Sequence, residues 1–177
     1  NLFDGGSSAE SEESSPMISF SLGGTEEPAA RNINNIPQIQ SRARVLTADT
    51  VEINGARLQL YGIDAPEMNQ SCANARGRSY RCGQEAADWL KSWIRDYPLS
   101  CRIMGQSQNG TYVGVCSLGE YDIGAALVNA GWAVANRQES EVYVPYENAA
   151  RNNHNGLWSG RFYMPWDWRQ YMQQQGQ

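Results

Sequence analysis

From residue 41 onward, apolar and polar positions alternate in short runs that predict strands at 42–46, 50–53 and 57–61. Asn54-Gly55 between the last two reads as a tight hairpin turn, because both residues accept positive φ. The third run carries on through Leu60 and Ile63 into Asp64-Ala65-Pro66-Glu67, so an apolar strand ends in two carboxylates three residues apart. Pro66 bars the strand from continuing. The period then lengthens: Ala86, Ala87, Leu90 and Ile94 share one face of a helix predicted over 83–95, with Trp89 and Trp93 at its edge. Runs at 99–104 and 112–118 flank Asn109-Gly110 as a second hairpin. Further helices are predicted at 122–130, ending at Gly131, and at 145–154, ending at Asn155-Gly156.

The ends break these patterns. Residues 1–38 are rich in Gly, Ser, Glu and Pro and read as an extended tail. Its one apolar island, Met17-Ile18-Ser19-Phe20-Ser21-Leu22, suits a short strand or a segment that lies on a partner. Residues 32–37 read as a turn-rich connector. The Trp- and Tyr-rich stretch around Trp158 and Trp166-Asp167-Trp168 is predicted to pack on the barrel or a partner. Residues 170–177 are Gln-rich and are expected to fray, which leaves 39–169 as the folded domain. The chain opens on Asn1 with neither Met nor a signal peptide, as a processed or trimmed chain would.

The 177 residues, 41% hydrophobic with six Trp, suffice for one ordinary domain plus a tail. No apolar run approaches the roughly 20 residues of a membrane span. The net charge of −5 is unevenly placed: residues 1–38 hold six acids and one base, so the remainder is neutral. Nucleic-acid binding draws most of its affinity from a basic surplus, which is absent here. Nucleic acid is therefore an unlikely partner on charge.

The four cysteines match no common zinc spacing. They read as two disulfides, Cys72–Cys82 closing a polar loop and Cys101–Cys116 crossing the second hairpin, with four buried thiols as the alternative. Disulfides point to an extracytoplasmic location such as a bacterial periplasm.

Strand, turn with Asp49-Thr50, hairpin, Gly62-Ile63-Asp64-Ala65-Pro66-Glu67, helix, hairpin and helix follow in order, and then Gly131-Trp132-Ala133 and Gly156-Leu157-Trp158. In this succession residues 41–160 resemble the thermonuclease (staphylococcal-nuclease-like) family, in a secreted branch with paired cysteines. The resemblance implies an α+β, β-rich fold: a five-stranded OB-type barrel with about three helices. It also implies calcium-dependent phosphodiester cleavage. Asp49, Asp64 and the Ala65 carbonyl match the calcium ligands, and Glu67 matches the general base. Two phosphate-clamping arginines belong to the pattern, but Gln59 and Thr111 stand at their positions.

Fixed donors aimed at transition-state charge are each worth about 10²–10³ in rate, so the loss of two weighs heavily against turnover. Arg57, or the group Arg76, Arg78 and Arg81, would have to replace them. Three readings stay open. The first is a non-catalytic module, an accessory or structural subunit of an extracytoplasmic complex that needs no cofactor and at most keeps a weak calcium site. It would meet its partner through the tail (Met17, Ile18, Phe20, Leu22) and the aromatic C-terminal segment. The second is a calcium-dependent nuclease using Asp49, Asp64 and Glu67. The third is a binder of nucleic acid or a phosphate ligand that does not cleave it. His154, the lone histidine, reads as solvated or capping.

Overall fold

The structure, a computed structural model, describes residues 38–176. The apolar island 17–22 and the connector 32–37 lie outside the described residues.

A curled sheet forms the centre. Its strands are β1 (Gln38–Ser41), β2 (Ala43–Thr47), β3 (Thr50–Ile53), β4 (Ala56–Leu60), β8 (Leu99–Gln106) and β9 (Tyr112–Leu118). Their order is β1-β8-β9-β4-β3-β2, and every pairing is antiparallel except β4 with β9. The two edge strands are consecutive in the chain, with only Arg42 between them. They are two halves of one bent strand, and that bend curls the sheet toward closure. Counted this way, the sheet is the five-stranded barrel that the resemblance implies. β1 is the part that residue alternation did not reveal.

Turn chemistry holds the registers. Asn54 and Gly55 take φ of 50° and 77°, as a tight β3–β4 hairpin requires. Cys101 stands directly opposite Cys116 in the β8–β9 ladder, and the bulge between Ile103 and Gly105 comes further along. Both disulfides form as read, Cys72–Cys82 and Cys101–Cys116.

The described residues hold four α-helices, α1 (Cys82–Ile94), α2 (Ile123–Asn129), α3 (Val144–Asn152) and α4 (Pro165–Gln175); α1 and α2 pack on the sheet and α3 packs on α2. The apolar face of α1 buries Ala86, Ala87, Leu90 and Ile94 in a core with Val51, Leu58, Leu60, Leu99, Leu127 and Val128. Asp122 caps α2: its Oδ1 accepts from Ala125 N at 3.2 Å, and its Oδ2 accepts from the Tyr143 hydroxyl at 2.7 Å.

The C-terminal end departs from expectation. Residues 165–175 are helical, not frayed. Pro165 occupies the first helical turn, where its missing N–H costs nothing. Tyr163 and Tyr171 stack at 5.9 Å, with Trp168 within 6.4 Å of both rings, and this cluster fixes the start of α4. Gln70 Nε2 donates to the Tyr163 carbonyl at 2.8 Å, and Ala73 and Arg161 exchange backbone hydrogen bonds. The α4 segment is thus tied to the loop that Cys72–Cys82 closes.

Small two-stranded ribbons complete the chain. β6 (Cys72–Ala73) pairs with β7 (Ser79–Tyr80), so the loop expected at 68–82 is a clipped hairpin. β10 (Tyr121–Asp122) adds to β9, and β5 (Ile63–Asp64) pairs with β11 (Val134–Ala135). No helix among the described residues is long and apolar enough to cross a membrane.

Candidate functional site

Asp49 sits in the turn between β2 and β3 and is buried. Three groups satisfy it. The Thr47 and Thr50 hydroxyls donate to Oδ1 at 2.7 and 3.0 Å, and Ala65 N donates to Oδ2 at 2.8 Å. The Ala65 bond links the turn to the strand end across the barrel. Burial outweighs these donors and pushes the Asp49 carboxyl up to about 6, with the charge of Asp64 adding to the rise.

Asp64 ends β5, where pairing with Val134 fixes its backbone. Pro66 follows and the chain turns, with Gln70 N donating to the Glu67 carbonyl at 2.9 Å. The N-terminus of α1 presses on this turn. A Cβ on Gly83 would lie 1.7 Å from the Glu67 carbonyl oxygen, so only glycine fits there. The strand, the proline and the helix together place the buried Asp64 and the part-exposed Glu67 side chains beside each other.

A guanidinium joins them. Arg169, on the first turns of α4, donates from Nη1 to Asp64 Oδ1 at 3.0 Å and from Nη2 to Asp64 Oδ2 at 2.6 Å. The same Nη1 donates to Glu67 Oε1 at 3.0 Å. The Asp64 side chain is 7% exposed, while those of Glu67 and Arg169 are 39% and 41% exposed. This bidentate fork is the strong form of an ion pair. The hydrogen bonds to Asp64 hold the Arg169 proton well above the usual arginine range, against the effect of burial.

The arginines proposed from sequence as replacements are elsewhere. Arg57 is exposed on β4, and Arg76, Arg78 and Arg81 are exposed around the β6–β7 ribbon; none has a hydrogen bond to Asp49, Asp64 or Glu67. Gln59 is exposed and pairs with Thr50 in the ladder. Thr111 is in the β8–β9 turn, where it donates its N–H to Asn109 Oδ1. The residue that reaches the acids is Arg169, which residue patterns had not singled out.

Calcium takes six to eight oxygen donors at 2.3–2.6 Å. Here both Asp49 oxygens already accept from the chain, and both Asp64 oxygens accept from Arg169. Among the described residues, no group of three or more His, Cys, Asp or Glu side chains is disposed to hold a metal ion. With Arg169 in place, the arrangement does not fit the ion.

A cleft of about 460 Å³ adjoins the pair and is lined by Asp64, Arg137, Glu147, Arg151, Trp166 and Arg169, among others. Its three cations are balanced within reach. Glu147, buried, accepts from Arg137 and Arg151 at 3.0 and 3.2 Å and from Ala135 N at 3.0 Å. Arg151 also lies over the Trp158 ring at 4.4 Å. The guanidinium groups here serve first as internal partners of acids.

Comparison with known proteins agrees with this architecture. Residues 57–160 match the family described as Staphylococcal nuclease homologue. The chain is 35% identical over 123 residues to the succinoglycan biosynthesis protein ExoI of Rhizobium meliloti (strain 1021), covering 68% of this chain and 64% of that protein. It is 28% identical over 134 residues to an uncharacterized endonuclease of Escherichia coli O157:H7, covering 71% and 81% of the two chains. A probable endonuclease, LCL3, of Yarrowia lipolytica (strain CLIB 122 / E 150) is 29% identical over 102 residues, or 55% of this chain and 41% of that one. The family match ends at residue 160, short of α4 and Arg169.

Proposed function

Starting from the premise that the chain belongs to the staphylococcal nuclease homologue family, we propose that it is a member that works by contact instead of turnover. It serves as an accessory or structural module of an extracytoplasmic assembly. One observation carries this reading: the arginine hydrogen-bonded at the acidic pair is engaged by both carboxylates, while Gln59 and Thr111 stand where phosphate-clamping arginines would be. A neutral amide cannot replace a bidentate guanidinium at a phosphate. Without two such donors, cleavage would fall on the order of 10⁴-fold. The two disulfides fit an oxidising compartment such as the periplasm. The exposed side chains of Tyr163, Trp166, Tyr171 and Met172 supply apolar contact area on and beside α4.

The test is digestion of single-stranded DNA and of RNA with and without calcium, with Glu67→Gln as the control. Co-purification from the periplasmic fraction runs in parallel. The reading expects no calcium-dependent cutting and migration with a larger complex. Cutting that Glu67→Gln abolishes would overturn it.

A second reading, a calcium-dependent phosphodiesterase, has its own support. Asp49, Asp64 and Glu67 are brought to one corner, a cleft opens beside them, and two relatives carry endonuclease names. In that reading Arg169 would have to leave the carboxylates before it could act on a phosphate.

A further inference from the structure

We propose that Arg169 is the resident cation of the acidic pair: its guanidinium occupies the seat between Asp64 and Glu67 and keeps it closed to divalent metal ions. This rests on reading Asp64 as one of the family's calcium ligands, with Glu67 beside it as the general base.

Four observations carry it. The fork meets both Asp64 oxygens and one Glu67 oxygen at 2.6–3.0 Å, so a guanidinium already stands where a metal ion bridging the two acids would sit. The contact is made by a side chain about a hundred residues away in sequence, so the fold of α4 brings it there and no local turn can. That helix is pre-positioned by the Tyr163–Trp168–Tyr171 cluster and by the hydrogen bond from Gln70 to Tyr163. Arg169 therefore meets the acids without a large ordering cost. Finally, Asp49 is satisfied by Thr47, Thr50 and Ala65. It needs no metal to compensate its lone pairs.

A hard divalent ion and a guanidinium cannot share this space. Entry of the ion would require desolvating it, breaking three charge-assisted hydrogen bonds, and moving a positive charge away from the approaching ion. A guanidinium also supplies the planar donor fork that an ammonium lacks. Lysine at 169 would therefore be a poorer plug even with its charge kept.

The experiment is calorimetric titration of calcium chloride into the whole chain, with thermal unfolding followed in parallel. The wild type is expected to show no saturable binding and no calcium-dependent rise in melting temperature. Arg169→Gln is expected to bind calcium at least about tenfold more tightly than wild type and to gain a calcium-dependent rise. Adding Asp64→Asn to that variant is expected to abolish both. Arg169→Lys, which keeps a charge and is the gentler change, is expected to fall between; it decides the matter if Arg169→Gln does not fold. Equal calcium affinity in wild type and variants, or no gain in either variant, overturns the proposal. A nuclease assay on the same samples keeps the two readings apart. A wild type that cuts DNA defeats the contact function, whereas calcium affinity insensitive to residue 169 defeats only the plug.

Discussion

Arg169 holds Asp64 with both terminal guanidinium nitrogens, at 3.0 and 2.6 Å, across 105 positions of sequence. Asp64 is nearly buried and Arg169 is not. The two partners are therefore unequal: loss of the arginine strands a buried charge, whereas loss of the acid frees an arginine to hydrate.

Arg169→Met is expected to destabilise the protein by about 1–3 kcal/mol at neutral pH, the exposure of the arginine reducing the full buried-pair cost. Asp64→Asn in the same chain should recover part of that loss. Thermal unfolding of the two single variants and the double variant measures the coupling. Strictly additive effects would mean the fork contributes nothing.

Gln59→Arg together with Thr111→Arg restores the residue types that a phosphate clamp needs. With Arg169 in place, the pair is expected to leave calcium-dependent cleavage of single-stranded DNA near background. Arg169→Gln added to that pair should expose the acids and raise cleavage by about 10² or more. A large gain from the first two substitutions alone would show that Arg169 yields readily.

Asp49 gives a pH signature. Its folded carboxyl titrates near 6, above the ordinary 3.8, because it is buried. The folded chain then holds that proton more tightly than the unfolded chain. This term stabilises at acid pH and is lost as pH rises from about 4 through 6, at a cost on the order of 3 kcal/mol above that window. Asp49→Asn keeps an acceptor for Ala65 N and offers hydrogens to the two threonine hydroxyls. It is expected to flatten stability between pH 4 and 6, as chemical denaturation at a series of pH values would report. An unchanged slope would assign the dependence to other groups.

Gly62 has φ of 80°, and a Cβ there would lie 2.9 Å from the Tyr143 ring. Gly62→Ala is expected to cost about 1–3 kcal/mol through backbone strain and the ring contact together. Tyr143→Ala in the same chain would relieve only the contact. A fall in melting temperature of a few degrees checks the first statement.

Removing Cys72–Cys82 by paired alanine substitution is expected to cost about 2–3 kcal/mol in the chain-entropy model. Because that loop carries the bonds to Arg161 and Tyr163, amide exchange should also quicken through the segment leading into α4. Removing Cys101–Cys116, which crosses β8 and β9, should leave exchange in that segment unchanged. Equal effects from both changes would contradict the link.

The acidic corner was legible in the sequence because its parts are local. An apolar strand, Asp64, Pro66 and Glu67 lie within a few residues, and Asn54-Gly55 announces the turn that folds β3 onto β4. The cysteine pairs were legible because hairpin register brings 101 opposite 116. Arg169 was not, for a physical reason. Helix α4 buries little besides Pro165, and its Gln-rich end has the composition of a frayed terminus. What orders it is a rare cluster of rings and an ion pair formed at long range, and neither leaves a period in the sequence. The one available signal was Pro165 opening a run that places Arg169 beside Trp168. β1 was missed for a similar reason: Gln38 to Ser41 carries a single apolar residue, Ile39, too few to show a period, and β8 supplies the ladder that makes it a strand.

The family match stops at Gly160, and the segment past it supplies the side chain that neutralises the corner. A fragment trimmed at that border would keep the barrel, both disulfides and all three acids. It would also strip from the two carboxylates the guanidinium that engages them in the intact chain. Metal affinity or activity measured on such a piece would describe an artefact of the cut.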